Sequence, residues 1–235
     1  MNTTDASDPT EPSDPTAPAD PIQAALRTLR VWDTALPAFV PATAPDAPLP
    51  LFVEWFTAAV DAGQTEPHTP SLATTDAEGR ADVRTVMLHG ADAAGFHFAS
   101  HSGSAKGRQL AARPYAALGF YWPLLGRQVR VRGPVRTAPH EVAYADLHAR
   151  STGALASALV GHQSEPLTSY EELERASDAA WERARREPEA DVASWTAYEL
   201  APEEVEFFQG DARRRHVRVR YRRTADGWVK ELLWP

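Results

Sequence analysis

The 235-residue sequence contains no cysteine, which excludes disulfides, thiolate nucleophiles, cysteine-ligated zinc and iron–sulfur clusters and suits a reducing cytoplasm. No apolar run approaches the roughly 18 residues of a membrane span, and no basic stretch leads into an apolar export signal. The 8 histidines show no H-x-x-x-H or H-E-x-x-H spacing on a helix, so no metal site is expected. A G-x-S-x-G elbow and the Walker and Rossmann glycine patterns are also missing. Lysine is scarce: of 24 basic residues only Lys106 and Lys230 are lysines. The net charge of −8 argues against general nucleic-acid binding, which needs a basic surface.

What is present is an ordinary globular composition, 43% hydrophobic and 24% charged, enough for one large domain or two small ones. Five acids (Asp5, Asp8, Glu11, Asp14, Asp20) and no base fall in residues 1–26, leaving about −3 for the rest. Pro9, Pro12, Pro15, Pro18 and Pro21 recur every three residues there. Residues 1–48 therefore read as a disordered acidic leader and a Pro- and Ala-rich linker, with a short helix somewhere in 22–48. A partner-binding arm is the alternative for the leader.

From Leu51 the pattern changes. Leu51, Phe52, Trp55, Phe56, Ala59 and Val60 recur at helical spacing and stop at Gly63. Strands are expected over 71–75, 81–88, 96–100, 116–122, 128–135, 195–200, 205–208, 216–222 and 228–233, with helices over 104–112, about 139–149 and about 169–187. Pro134 points to an edge position for its strand. Hairpin-linked strands with inserted helices predict an α+β fold built on an antiparallel barrel.

Two basic groups could carry chemistry. Ser102-Gly-Ser-Ala-Lys-Gly-Arg108 opens a helix with hydroxyls and a lysine, which suits an anion, although a plain capped loop has the same composition. Arg84 lies in the strand expected over 81–88. The stretch from Arg213 to Arg223 holds seven arginines, and period two puts His216, Arg218, Arg220 and Arg222 on one face. That face is either a solvated one paired with acids or a phosphate-tracking surface. An anion-binding barrel without metal or covalent nucleophile fits a protein whose cofactor supplies the chemistry.

Several segments, in order, carry a resemblance: Arg84-Thr-Val-Met-Leu-His-Gly90, Gly103-Ser-Ala-Lys-Gly-Arg108, Phe120-Tyr-Trp-Pro123, Arg127-Gln-Val129, Gln163-Ser164, Glu206-Phe-Phe-Gln-Gly210 and Arg214-Arg-His-Val-Arg218. Over about 49–235 the chain resembles the pyridoxine/pyridoxamine 5′-phosphate oxidase family. The resemblance implies an FMN-binding split barrel with peripheral helices, forming a homodimer with FMN at the interface. It implies phosphate contacts from Arg84 and Lys106, flavin contacts along Thr85, Val86 and Met87, and further contacts from Ala99, Ser100, Gln128, Gln163, Ser164, Phe208 and Arg218. Ala105 stands where the family commonly has another arginine, and Phe208 where it usually has tryptophan.

The implied substrate positions depart further. Where the family holds a phosphate with lysine, tyrosine, arginine and serine, this chain has His89, Asp146, Arg150 and Ala154, with Tyr144 as the alternative to Asp146 under a local gap. A carboxylate facing a phosphate at about 4 Å costs on the order of 1–4 kcal/mol. Arg214 and His216, the family's substrate pair and the catalytic candidates here, are kept. The stretch from Ser100 to Arg108 resembles the phenazine-biosynthesis branch of the family, whose substrates are reduced carboxylated tricycles. The expected activity is an FMN-dependent oxidase moving a hydride from a small, carboxylated biosynthetic substrate to flavin, with O₂ as reoxidant. A pyridoxamine 5′-phosphate oxidase and a non-catalytic flavin- or haem-binding module are the alternatives.

Overall fold

The computed structural model describes residues 20–32 and 35–235. The expected leader falls mostly on 1–19, outside the described residues. Asp20 caps a short helix α1 (Pro21–Thr28), its carboxylate accepting from the Ile22 amide at 3.0 Å. The helix α2 (Pro48–Asp61) follows, then strands β1 (Ser71–Thr75), β2 (Ala81–Thr85), β3 (Gly90–Ala91) and β4 (Phe96–His101). Helix α3 (Ala105–Ala112) leads to β5 (Tyr115–Trp122) and β6 (Arg127–Thr137). Three helices, α4 (His140–His148), α5 (Thr152–Val160) and α6 (Tyr170–Arg186), precede β7 (Trp195–Leu200), β8 (Glu204–Gln209), β9 (Val217–Thr224) and β10 (Gly227–Leu233).

All strand pairs are antiparallel, in the order β10-β9-β8-β6-β5-β1-β2, with β7, β4 and β3 branching from the end of β6. This is the α+β split barrel expected from the sequence. The split lies in β6, which pairs with β8 over Arg127–Arg132 and with β7 over Val135–Thr137. Pro134 therefore does not mark an edge strand: β6 is paired on both sides, and Pro134 sits where its partner changes. The missing N–H falls at the one place where no ladder bond is required, and the Pro134 carbonyl still accepts from Ala201 at 2.9 Å. Beside it, a Cβ on Gly133 would stand 2.0 Å from the Ala201 carbonyl oxygen, so only glycine permits this close approach.

Helix α2 fills the barrel. Leu51, Phe52 and Trp55 are buried; Phe52 packs edge-on to Phe96 and Phe120 at 4.8 and 5.1 Å, and Trp55 packs on Phe207 at 5.2 Å. Each such side chain contributes about 1.5–3 kcal/mol by leaving water. Residues 37–48, expected as a linker, lie packed against this barrel. Phe39 meets Trp55 at 5.1 Å, the Tyr221 hydroxyl donates to the Pro45 carbonyl at 2.8 Å, and Lys230 donates to the Ala44 carbonyl. Burial, with Asp46 nearby, pushes the Tyr221 hydroxyl up to about 12, so it remains a donor. Helix α5 was not expected from the sequence. Its small, uncharged residues show no amphipathic period, yet Leu155, Ala156 and Ala158 close a second cluster with Leu147 and Ala184.

Alternation along β9 buries Val219 and Tyr221 and turns Arg218, Arg220 and Arg222 to the other face. There the arginines meet acids: Arg218 pairs with Glu206 at 2.8 Å, and Arg220 and Arg222 with Glu231 at 2.7 Å. Glu206 and Glu204 of β8, both buried, also take Arg130 and Arg132 of the neighbouring β6 at 2.5 and 3.2 Å. This cluster is a charge ladder between neighbouring strands.

Candidate functional site

Strand β2 and the start of α3 bring two cations together. Arg84 donates to the Leu72 carbonyl at 3.2 Å and to Gln109 at 3.0 Å, and also contacts Thr74 and Asp82. Lys106 donates to the Ser100 hydroxyl at 3.2 Å and makes no ion pair among the described residues. Burial, and then repulsion from Arg84, hold its ammonium below the usual lysine range. A half-buried cation destabilised by another cation is a site short of an anion. Ser104 caps α3 by accepting from Gly107 at 3.2 Å, and Ser164, at a left-handed φ of 69°, accepts from the Ala105 amide at 3.1 Å. The donor set, an ammonium, a guanidinium and hydroxyls at a helix start, fits a phosphate group. Gln163 lines a surface cavity of about 660 Å³ with Ser157, Leu173 and Trp181.

Thr85, Val86 and Met87 continue from Arg84 at the edge of the sheet, with Thr85 and Met87 exposed, and Ala99 lies in β4 beside Ser100. Past them stands a compact ionic cluster. The Asp146 carboxylate takes His89 Nδ1 at 2.8 Å on one oxygen and Arg150 Nε at 3.3 Å on the other. Burial opposes ionisation of Asp146, but the His89 hydrogen bond and then Arg150 outweigh it and hold the carboxyl below its ordinary value. Arg150 Nη1 also reaches the Met87 sulfur at 3.5 Å. Tyr144 is not part of this cluster: its hydroxyl donates to Glu189 at 2.9 Å, and its ring stacks on His148 at 3.9 Å. Ala154 lies in α5.

A second group forms at the β8–β9 end. Phe208 and His216 pack at 5.1 Å, Phe208 pairs in register with both Gln128 and Arg218, and Arg214 is exposed at a left-handed φ of 63°. The Asp211 amide donates to His216 Nδ1 at 3.1 Å. Sequence reasoning did not single out Trp32. Its ring stands 5.3 Å from His216 and 6.4 Å from Phe208, against Gly210, where a Cβ would lie 2.8 Å from the indole. The Trp32 Nε1 is buried and finds no partner among the described residues. An isolated tryptophan in a Pro-rich stretch carries no periodic signal, so only the fold could reveal it.

The two groups sit far apart in strand order, with β8, β6, β5 and β1 between β9 and β2. No hydrogen bond or ion pair joins them among the described residues. No helix among the described residues is long and apolar enough to cross a membrane, and no acid–histidine cluster there could hold a metal.

Comparison with known proteins agrees with this architecture. Residues 56–209 match the family described as pyridoxamine 5′-phosphate oxidase, and 195–235 match a pyridoxine 5′-phosphate oxidase C-terminal dimerisation region. The chain is 41% identical over 196 residues to a pyridoxine/pyridoxamine 5′-phosphate oxidase of Pseudomonas fluorescens, covering 83% of this chain and 91% of that one. A homologue from Azotobacter vinelandii is 40% identical over the same shares. Among solved structures, PhzG from Burkholderia lata, in complex with tetrahydrophenazine-1-carboxylic acid, superposes with a TM-score of 0.79 at 26% identity, covering 86% of this chain and 100% of that one. An FMN-binding protein from Nostoc punctiforme shares the fold at a TM-score of 0.66 and 20% identity, covering 80% and 98%. With most of its length aligned, and with its anion-seeking corner on the strand and helix that carry the family's segments, the chain belongs to the pyridoxamine 5′-phosphate oxidase family.

Proposed function

We propose that the protein is an FMN-dependent oxidase acting on a small, carboxylated biosynthetic substrate. The observation that carries the cofactor reading is Lys106, half-buried beside Arg84 without a carboxylate partner, where an FMN phosphate would restore its charge balance. Thr85, Val86 and Met87 would line the isoalloxazine, with Ala99, Ser100, Gln163 and Ser164 around the phosphate end. When bound, FMN would supply the two-electron acceptor for a substrate C–H, with O₂ as the terminal oxidant.

The chain's own residues would bind and orient. His216 accepts a backbone N–H at Nδ1, so its neutral form carries the proton on Nε2. It would therefore present a donor to the substrate and act by orientation rather than as a base. Arg214 beside it, and Arg150 near Met87, offer guanidinium forks to a carboxylate. The B. lata relative bound to a tetrahydrophenazine carboxylic acid supports this substrate class.

A homodimer would complete the site, bringing Gln128, Phe208, Arg214, His216 and Arg218 of one protomer to the Arg84–Lys106 corner of its partner. The match to a dimerisation region supports this, as do exposed Val83 in β2, exposed Met87 just past it, and Trp234, 92% exposed, at the C-terminus. A second reading, a pyridoxamine 5′-phosphate oxidase, draws on the 41% identity to curated enzymes of that activity.

Oxygen uptake by the purified yellow protein tests both. Turnover of a reduced tricyclic carboxylate, with little or none of pyridoxamine 5′-phosphate, is expected. Rapid turnover of the phosphate compound would favour the second reading, and a protein that stays colourless with added FMN would sink both.

A further inference from the structure

The two clusters of cationic side chains described above differ in charge. Around Lys106 and Arg84 the one acid, Asp82, is engaged by Arg84 and by Gln109, and Lys106 keeps no ionic partner among the described residues. Around Arg150 the balance is different. Its Nε is held by Asp146 at 3.3 Å, and the same carboxylate takes His89 at 2.8 Å, so with a neutral His89 the cluster sums to zero. The three side chains are mostly buried, at 10%, 21% and 25% exposure, where charges are poorly screened. Asp146 binds Arg150 through Nε and Nη1 touches the Met87 sulfur, while Nη2 makes no hydrogen bond among the described residues, so the outer edge of the guanidinium is the part a ligand could take. Such a fork matches one carboxylate. A second negative charge on the ligand meets Asp146, which has no further cation to offset it.

We propose that Asp146 is a specificity-determining positioning residue: it sets the Arg150 fork and His89, and restricts this subsite to ligands with a single negative charge. The inference rests on the substrate site being the one proposed above, and it assigns the discrimination between a carboxylate and a phosphate dianion to one side chain. Asp146 makes no hydrogen bond to the substrate in this arrangement, and its uncompensated charge repels a second negative charge on the ligand. It positions the ligand through the two residues it holds, His89 and Arg150.

Calorimetric titration of the FMN-loaded full-length protein at pH 8 tests this, with phenazine-1-carboxylate as the monoanion and pyridoxal 5′-phosphate as the dianion. The unaltered protein should bind the monoanion at least tenfold more tightly. Asp146→Asn should reverse that ratio by at least tenfold, chiefly by tightening pyridoxal 5′-phosphate, while Asp146→Glu retains the original preference. A thermal melt within a few degrees of the unaltered protein shows that the variants fold. Equal affinities in the unaltered protein, binding of neither probe, or parallel weakening of both probes in Asp146→Asn would overturn the proposal, the last because it marks a merely structural role. Binding is read without turnover, so the two readings fail separately. Selectivity without oxygen uptake defeats the oxidase reading alone, and oxygen uptake without selectivity defeats this one alone.

Discussion

The indole of Trp32 stands edge-on to the imidazole of His216, with 5.3 Å between ring centroids and 72° between planes. A residue from the segment that precedes the barrel thus packs against a histidine from its penultimate turn. Gly210 makes the room, because a Cβ there would collide with the indole at 2.8 Å. The contact places Trp32 in the wall of the proposed substrate site.

Replacing Trp32 by alanine should therefore lower kcat/KM. An aromatic pair contributes about 0.5–1.5 kcal/mol, so the loss should be roughly 2- to 13-fold. Gly210→Ala, which displaces the ring, should show a loss of the same order. Steady-state oxygen uptake measures both, and unchanged kinetics in the two variants would remove Trp32 from the site.

Lys106→Ala should weaken FMN binding by about 1–3 kcal/mol, the worth of a charge-assisted contact, or roughly 5- to 150-fold in Kd. Lys106→Arg should recover part of it. Quenching of free FMN fluorescence on titration gives the constants. An unaltered Kd in Lys106→Ala would place the phosphate elsewhere.

Stability should respond to pH through Glu231. Hydrogen bonds from Arg222 and then Arg220 lower its carboxyl to about 2, against an ordinary 4.5. The folded state thus binds the proton less readily than the unfolded chain. The stabilisation is complete above pH 4.5 and is lost as pH falls from there towards 2. Thermal melts across that window should show a steeper decline for the unaltered protein than for Glu231→Gln. Parallel curves would mean that the pair contributes nothing.

Gly133→Ala should destabilise the fold, because its new Cβ would meet the backbone oxygen of Ala201 at 2.0 Å and neither partner can swing aside. Overpacking of this kind costs about 1–3 kcal/mol or more. Gly119→Ala serves as the control, since a Cβ there meets nothing within 4 Å. Urea denaturation should separate the two, and equal midpoints would refute the close approach.

Much of this fold was legible in the residues. The spacing of Leu51, Phe52 and Trp55 announces a helix with one apolar face, and that face fills the barrel. Alternation of Val219 and Tyr221 with Arg218, Arg220 and Arg222 announces a half-buried strand. Lys106 stands out because only it and Lys230 among the 24 basic residues are lysines. Pro134 misled because a local rule about missing N–H groups says nothing of a strand that changes partners. Helix α5 escaped because three alanines, two leucines and other small uncharged residues carry no contrast between faces.

By itself the sequence determined most of the element types, the excluded chemistries and the family segments, because periodicity and composition are local properties of a chain. The tertiary structure alone decided that Asp146 rather than Tyr144 meets His89 and Arg150, and that Trp32 rests on His216. It also decided that the arginines of β9 are answered by acids on neighbouring strands. Those are contacts between residues distant in sequence. A charge or a ring has no partner until folding places one within a few ångströms.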